Sequence, residues 1–211
     1  KTHNTGAPTL NFEKWTVNGM TRYTYLVDDL NGFHIPGAGY VPGYEVVTDS
    51  SFKELNRYYL LPYNGRKATD PNLLDSHDFI LIDDNHYIGE SYYEETVTNI
   101  PVGLNPAPHV NVICPIIQEV QNGKVIWEWK ATDYPELYVY STVGNDFKDS
   151  VNVQDYCHLN SMFIDPRDNN LILSFRNLNM VMKVNRQTGD IMWKLGGPES
   201  DFPMTADQKF L

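Results

Sequence analysis

His158-Leu159-Asn160-Ser161-Met162-Phe163-Ile164-Asp165 opens with a histidine, continues as a largely apolar segment and ends at an acidic turn. The same order occurs earlier as His77-Asp78-Phe79-Ile80-Leu81-Ile82-Asp83. Each is followed downstream by a second matching pair, Gln121-Asn122-Gly123-Lys124-Val125-Ile126-Trp127 and Gln187-Thr188-Gly189-Asp190-Ile191-Met192-Trp193. Both members of that pair are a glycine hairpin turn feeding a strand with Trp at the same place. The chain therefore repeats one unit: His strand, return strand, glycine turn, Trp strand. Four short strands fit between His158 and Trp193, roughly the length of a β-propeller blade.

Outward from these repeats the periodicity predicts short strands almost everywhere. They fall at Tyr23–Val27, Tyr44–Thr48, Phe52–Leu60, Asp78–Ile82, Tyr87–Ser91, Val110–Val120 and Lys124–Lys130. Further strands are predicted at Leu137–Ser141, His158–Ile164, Leu171–Phe175, Met180–Asn185 and Ile191–Leu195. Gly, Pro, Asn or Asp clusters bound each one, and sustained helical stripes are missing. Leu61–Asp75 and Glu94–His109 read as long loops. The expectation is an all-β fold, about three blades of a β-propeller, with blade-like units near 20–62, 77–132 and 158–197. A propeller needs about 4–8 blades to close. The chain is therefore expected to continue beyond Leu211 or to pair with a partner chain, and Asp207–Leu211 reads as cut within an element.

Composition narrows the function. Lys and Arg number 16 against 27 Asp and Glu, a net charge of -11 over 211 residues. A diffuse acidic surface lacks the basic patches that phosphate backbones require, so no nucleic-acid partner is expected. No stretch approaches the ~20 apolar residues of a membrane span. Aromatics at 13%, with 14 Gly and 13 Pro, agree with a β-rich chain punctuated by turns. Cys114 and Cys157 are too few for a disulfide scaffold; they form one bridge or sit as buried thiols.

The innermost strand of a blade lines the propeller channel. A histidine at the same end of that strand in two blades brings His77 and His158 toward one mouth. Arg176 ends the strand that returns beside His158, and its planar guanidinium suits a tetrahedral oxyanion. Asn160 lies two residues after His158, on the same face of a regular strand. Tyr92 holds the place in its repeat that Arg176 holds in the next. This set lacks a carboxylate cluster or zinc-type His and Cys spacing, so it is read as an oxyanion site with no metal. Trp127, Trp129 and Trp193 are read as core packing before phenol stacking, and His34, His86 and His109 as surface residues. The Asp83-Asp84 and Asp165–Asp168 stretches are read as turns before calcium ligands.

Three segments together resemble the arylsulfotransferase family: Asp155-Tyr156-Cys157-His158-Leu159-Asn160-Ser161, Asn169–Arg176 and Lys183–Gly197. Asp75-Ser76-His77-Asp78-Phe79 resembles an earlier His-Asp strand of that family, and Ile117–Val120 with Ile126–Trp129 its middle blade. The resemblance implies a six-bladed propeller and coenzyme-independent transfer of a sulfuryl group, from an aryl sulfate donor to a phenolic acceptor. No cofactor is implied. It also implies that a histidine attacks sulfur and carries the group as sulfohistidine. That histidine sits in a Gln-His motif with no counterpart in residues 1–211, so neither His77 nor His158 takes its place. By motif, His77, His158 and Arg176 are the catalytic candidates, and Asn160 and Tyr92 the substrate-binding candidates. This chain alone is expected to be inactive. A secreted or periplasmic location follows from the resemblance and the absent initiator Met. Two other readings stand beside this one: a quinone-dependent propeller enzyme, on Thr188–Trp193, and a non-catalytic propeller used for binding or as a structural subunit.

Overall fold

The computed structural model describes residues 6–29, 39–65 and 73–203. Strand order β1 (Thr9–Val17), β2 (Met20–Asp28), β3 (Pro42–Asp49) and β4 (Glu54–Tyr58) forms an antiparallel meander, with β5 (Leu74–Asp75) added against β3. A second sheet, of four strands, runs β6 (Phe79–Asp83), β7 (His86–Val97), β8 (Val110–Gln121), β9 (Lys124–Lys130). The third runs β10 (Leu159–Ile164), β11 (Leu171–Phe175), β12 (Met180–Val184), β13 (Ile191–Gly196). Among the described residues helix is limited to α1 (Glu136–Tyr140) and two single 3-10 turns, so the all-β expectation holds. Two compact units divide the chain, one of residues 1–92 with 117–128 and the other of 93–116 with 129–211.

Local chemistry explains the hairpins. Asn18-Gly19 and Asn122-Gly123 both take positive φ at each residue, and each links strands two residues apart. That backbone twist matches the twist of the paired strands, and Asn and Gly tolerate it best. In β8 every residue from Val112 to Val120 is buried, so its side chains are covered on both faces of the sheet. The core of the first unit includes Leu26, Val27, Val46 and Ile88; that of the second includes Trp129, Leu137, Leu173 and Met182.

Two predicted elements change, and one strand is added. Leu137–Ser141 is not a strand: Glu136–Tyr140 is a short helix, started by Pro135, whose ring fixes a helical φ of -59°. Burial of the adjacent Leu137 and Tyr138 outweighs the β-forming tendency of the aromatic and branched residues. Residues 94–97, read as loop, extend β7. β1 escaped the periodicity because Asn11 is left-handed (φ 48°) and the register with β2 shifts between Leu10 and Glu13. A bulge of this kind moves every following side chain to the opposite face.

Candidate functional site

His77 stands just before β6. Asp75 Oδ1 accepts the His77 backbone N–H at 3.1 Å and faces the ring Nδ1 at 2.5 Å, while Oδ2 accepts from Val41 N at 2.9 Å. The rings of Tyr40 and Tyr92 each meet the imidazole edge-on at 5.9 Å, and contact one another at 4.2 Å. The structure thus brings Tyr92 together with His77. The tyrosine ring is buried, and His77 keeps a partly exposed side chain.

Under this pair lies an acidic layer that the sequence reading missed. Glu90 is fully buried, and neither carboxylate oxygen has a hydrogen-bond partner of normal geometry. Burial, then the charges of Asp75 and Asp78, push its pKa well above the usual carboxylate value, and the Asp78 backbone N–H offsets this only in part. Glu45 is pushed up in the same way, chiefly by burial, with Glu13 and Asp78 adding to it. Glu13 is raised to about 7 by burial and by Asp78. The signal was a glutamate within the apolar run Tyr87-Ile88-Gly89-Glu90-Ser91, which β7 buries on both sides.

Asp75, His77 and Glu90 bring one donor atom each within 4.8 Å of one another. Two ligands of a single transition-metal ion sit about 2 Å from it, and so about 3 Å or more from each other. At 2.5 Å, Asp75 Oδ1 and His77 Nδ1 are too close to be two ligands of one ion and are at hydrogen-bonding distance. Asp75 Oδ1 and His77 Nδ1 are thus engaged with one another, and a cation shared by the trio would have to use their other donor atoms.

His158 precedes β10 in the left-handed region (φ 49°), so the strand begins one residue later than its sequence predicts. Asp155 Oδ2 accepts from His158 Nδ1 at 2.8 Å and lies 3.7 Å from Arg176 Nη2. The strand pairing carries Arg176 here: its backbone N–H donates to His158 O at 2.9 Å. Arg176 Nε donates to Asn177 Oδ1 at 3.2 Å, and Asn177 Nδ2 donates to the Asp155 carbonyl. Gly144 lies against that carbonyl with φ +63°, and a Cβ there would collide with the Asp155 backbone. Asp155 is thus fixed by its own backbone before its side chain engages the histidine.

The His158 side chain is completely buried, whereas the Arg176 side chain is half exposed at 51%. Asn160 is exposed and sits where the β10–β11 register shifts, as the extra residue of a bulge. The two-residue alternation expected to put it beside His158 does not operate there, because His158 is left-handed and the bulge re-aims Asn160. His77 belongs to one unit, and His158, Asn160 and Arg176 to the other.

The remaining candidates have structural duties. Cys114 and Cys157 are buried free thiols, and burial pushes Cys114 up to about 11. His86 is not a surface residue: its Nε2 pairs with buried Glu119 at 2.6 Å. His109 is exposed, and His34 lies outside the described residues. Asp84 clamps Arg22 with two bonds of 2.6 Å, and Asp165 holds Arg167 and Lys183, so both acidic turns serve packing. Trp129 is core, stacked on Tyr134 at 5.1 Å, while Trp127 and Trp193 are half-buried.

A comparison with curated proteins returns no match. The family described as Arylsulfotransferase (ASST) matches residues 31–211, which takes in both histidine dyads, Arg176 and all of the second and third sheets. The chain belongs to the arylsulfotransferase family.

Proposed function

We propose that the full-length protein moves a sulfuryl group from an aryl sulfate to a phenol, and that its three four-stranded meanders are blades of a six-bladed propeller. The observation that carries the reading is the His158–Asp155–Arg176 cluster, an imidazole and a guanidinium tied to one carboxylate inside the family-matched stretch. Arg176 keeps donors turned to solvent, and a guanidinium holds tetrahedral oxyanions in paired hydrogen bonds. His77, His158 and Arg176 are the groups that stabilise charge on the sulfuryl oxygens; Asn160 and Tyr92 bind the substrate.

The chemistry runs in two displacements. First the S–O bond to the donor breaks as a histidine nitrogen bonds sulfur, and the departing phenolate takes up a proton. Then the S–N bond breaks as the acceptor oxygen bonds sulfur and gives up its phenolic proton. Neither His77 nor His158 is assigned the attack. Positioned donors lower both barriers by meeting charge where it develops. The family is extracytoplasmic in general, and we place this protein outside the cytoplasm with it; among the described residues no helix is long and apolar enough to cross a membrane.

The test is turnover by the full-length protein. Free phenol should appear from a chromogenic aryl sulfate only when an acceptor phenol is present, with one aryl sulfate formed per phenol released. Release without an acceptor, or no release, overturns the reading. The complete burial of His158 favours one second reading, a propeller retained for binding or as a structural subunit. In that case His158→Ala would leave binding of an aryl sulfate unchanged.

A further inference from the structure

Arg176-Asn177-Leu178-Asn179 is the turn between β11 and β12, closed where the Asn179 N–H donates to the Arg176 carbonyl at 3.2 Å. Asparagine is mostly an exposed residue. Asn177 is only 4% exposed, although the arginine side chain beside it is half exposed. Burying an amide without partners costs about 1–3 kcal/mol, and here each polar group of the residue has a partner. Oδ1 accepts from Arg176 Nε at 3.2 Å, and Nδ2 donates to the Asp155 carbonyl. The backbone N–H donates to Cys157 O at 3.3 Å, and the backbone carbonyl accepts from Thr142 N at 2.8 Å and Thr142 Oγ1 at 2.7 Å. A carbonyl can only accept and Nε–H can only donate, so the amide fits in one orientation. Asn177 thus joins the β11–β12 turn to Thr142 and to Asp155–Cys157, all within the second compact unit.

A guanidinium offers an oxyanion two edges, Nε with one Nη or the two Nη together. At Arg176 the first edge is occupied, because Nε already donates to Asn177. Nη2 lies 3.7 Å from Asp155 Oδ2, beyond hydrogen-bond distance, and among the described residues neither Nη nitrogen has a hydrogen-bond partner. The planar group is pinned at Nε and open at its far end.

We infer that Asn177 is a positioning residue, which fixes the plane of the Arg176 guanidinium so that a sulfuryl or sulfate oxyanion is held end-on, by Nη1 and Nη2. The inference rests on the transferase reading above for its substrate and concerns the Arg176 cluster by itself.

The probe is inorganic sulfate, followed by nitrogen NMR of full-length protein labelled at arginine. Arg176→Lys identifies the Arg176 signals by their loss. In the unsubstituted protein the Arg176 Nε–H should exchange slowly with water and keep its shift when sulfate is added, while the Nη signals move. Asn177→Ala should open Nε–H to exchange and weaken sulfate binding about tenfold. It should also lower kcat/KM for the aryl sulfate on the order of 10- to 100-fold. Asn177→Asp keeps an acceptor for Nε and adds a charge that competes with the oxyanion, so Nε–H should stay protected while sulfate binds more weakly. An unprotected Arg176 Nε–H, or one that moves with sulfate as the Nη signals do, overturns the inference. So does an Asn177→Ala protein that binds sulfate and turns over as the parent does. If Asn177→Ala does not fold, the unsubstituted protein and Asn177→Asp still decide. Sulfate binding with the expected Nη shifts but no sulfuryl transfer overturns the transferase reading and upholds the positioning. Absence of any sulfate effect at Arg176 overturns the positioning.

Discussion

The His77 and His158 dyads share one hydrogen bond and differ in nearly everything around it. His77 Nδ1 meets Asp75 above a layer of buried acids, with Glu90 fully enclosed and Glu45 and Glu13 further along the same network. His158 Nδ1 meets Asp155 beside the half-exposed guanidinium of Arg176. The first carboxylate has acids for neighbours; the second has a cation. A single motif can therefore be surrounded by opposite charge, and the surroundings set what each can do. The second cluster is suited to hold an anion, while the first sets its histidine beside acids whose burial favours their protonated forms.

The largest test of this contrast is Arg176→Ala. Removing a positioned donor to a developing oxyanion costs about 10²–10³ in kcat. Stability, read by urea unfolding, should move by no more than about 0.5 kcal/mol because the side chain is half exposed. A large loss of stability with activity kept would make Arg176 a structural residue and erase the contrast. Next comes Gly144→Ala, which forces a side chain onto the Asp155 carbonyl at a positive φ. It should cost about 1–3 kcal/mol and lower activity without touching either histidine. Unchanged activity in a folded Gly144→Ala protein would mean that the Asp155 anchor is not needed.

The acid layer gives a pH test of opposite sign to ordinary acid denaturation. Glu90, Glu45 and Glu13 all hold protons more tightly folded than unfolded. Their contribution is fully present below the ordinary carboxylate value and declines as pH rises, for Glu13 from its reference of 4.5 through about 7. Each such group removes at most about 1.4 kcal/mol per pH unit over its window. Glu90→Gln keeps the neutral shape, so stability measured from pH 5 to 8 should fall less steeply than in the parent. Equal slopes would show that Glu90 does not stay protonated. In the third sheet the signs reverse. Arg167 and Lys183 hold Asp165 well below its usual range, and Lys183 likewise lowers Asp168, so their contribution is lost only as pH falls through the acid range. Lys183→Met should give the smallest effect, a modest drop in melting temperature with turnover unaltered, because Arg167 still pairs with Asp165 at 2.7 Å.

The repeated strands were legible because their turns are chemically explicit. Asn122-Gly123 fixes one hairpin, and Lys124–Lys130 and Leu171–Phe175 fall where alternation and turn residues place them. β1 was not legible, because its bulge breaks the alternation on which strand reading depends. α1 was hidden by residues that favour strands, and Pro135 was its one local signal. At the site, the sequence pointed to His77, His158 and Arg176 but not to the aspartates behind them. Asp75 and Asp155 stand at different spacings from their histidines, and only folded geometry makes them equivalent. Glu90 was passed over for a similar reason: a lone glutamate in an apolar run shows its burial only once both sheet faces are covered.

The most direct measurement is to expose full-length protein to a radiolabelled aryl sulfate without acceptor, quench, and map the label. The account predicts acid-labile label on one histidine other than His77 and His158, discharged by added phenol and greatly reduced in Arg176→Ala. Absence of protein-bound label, or label on His77 or His158, would contradict it.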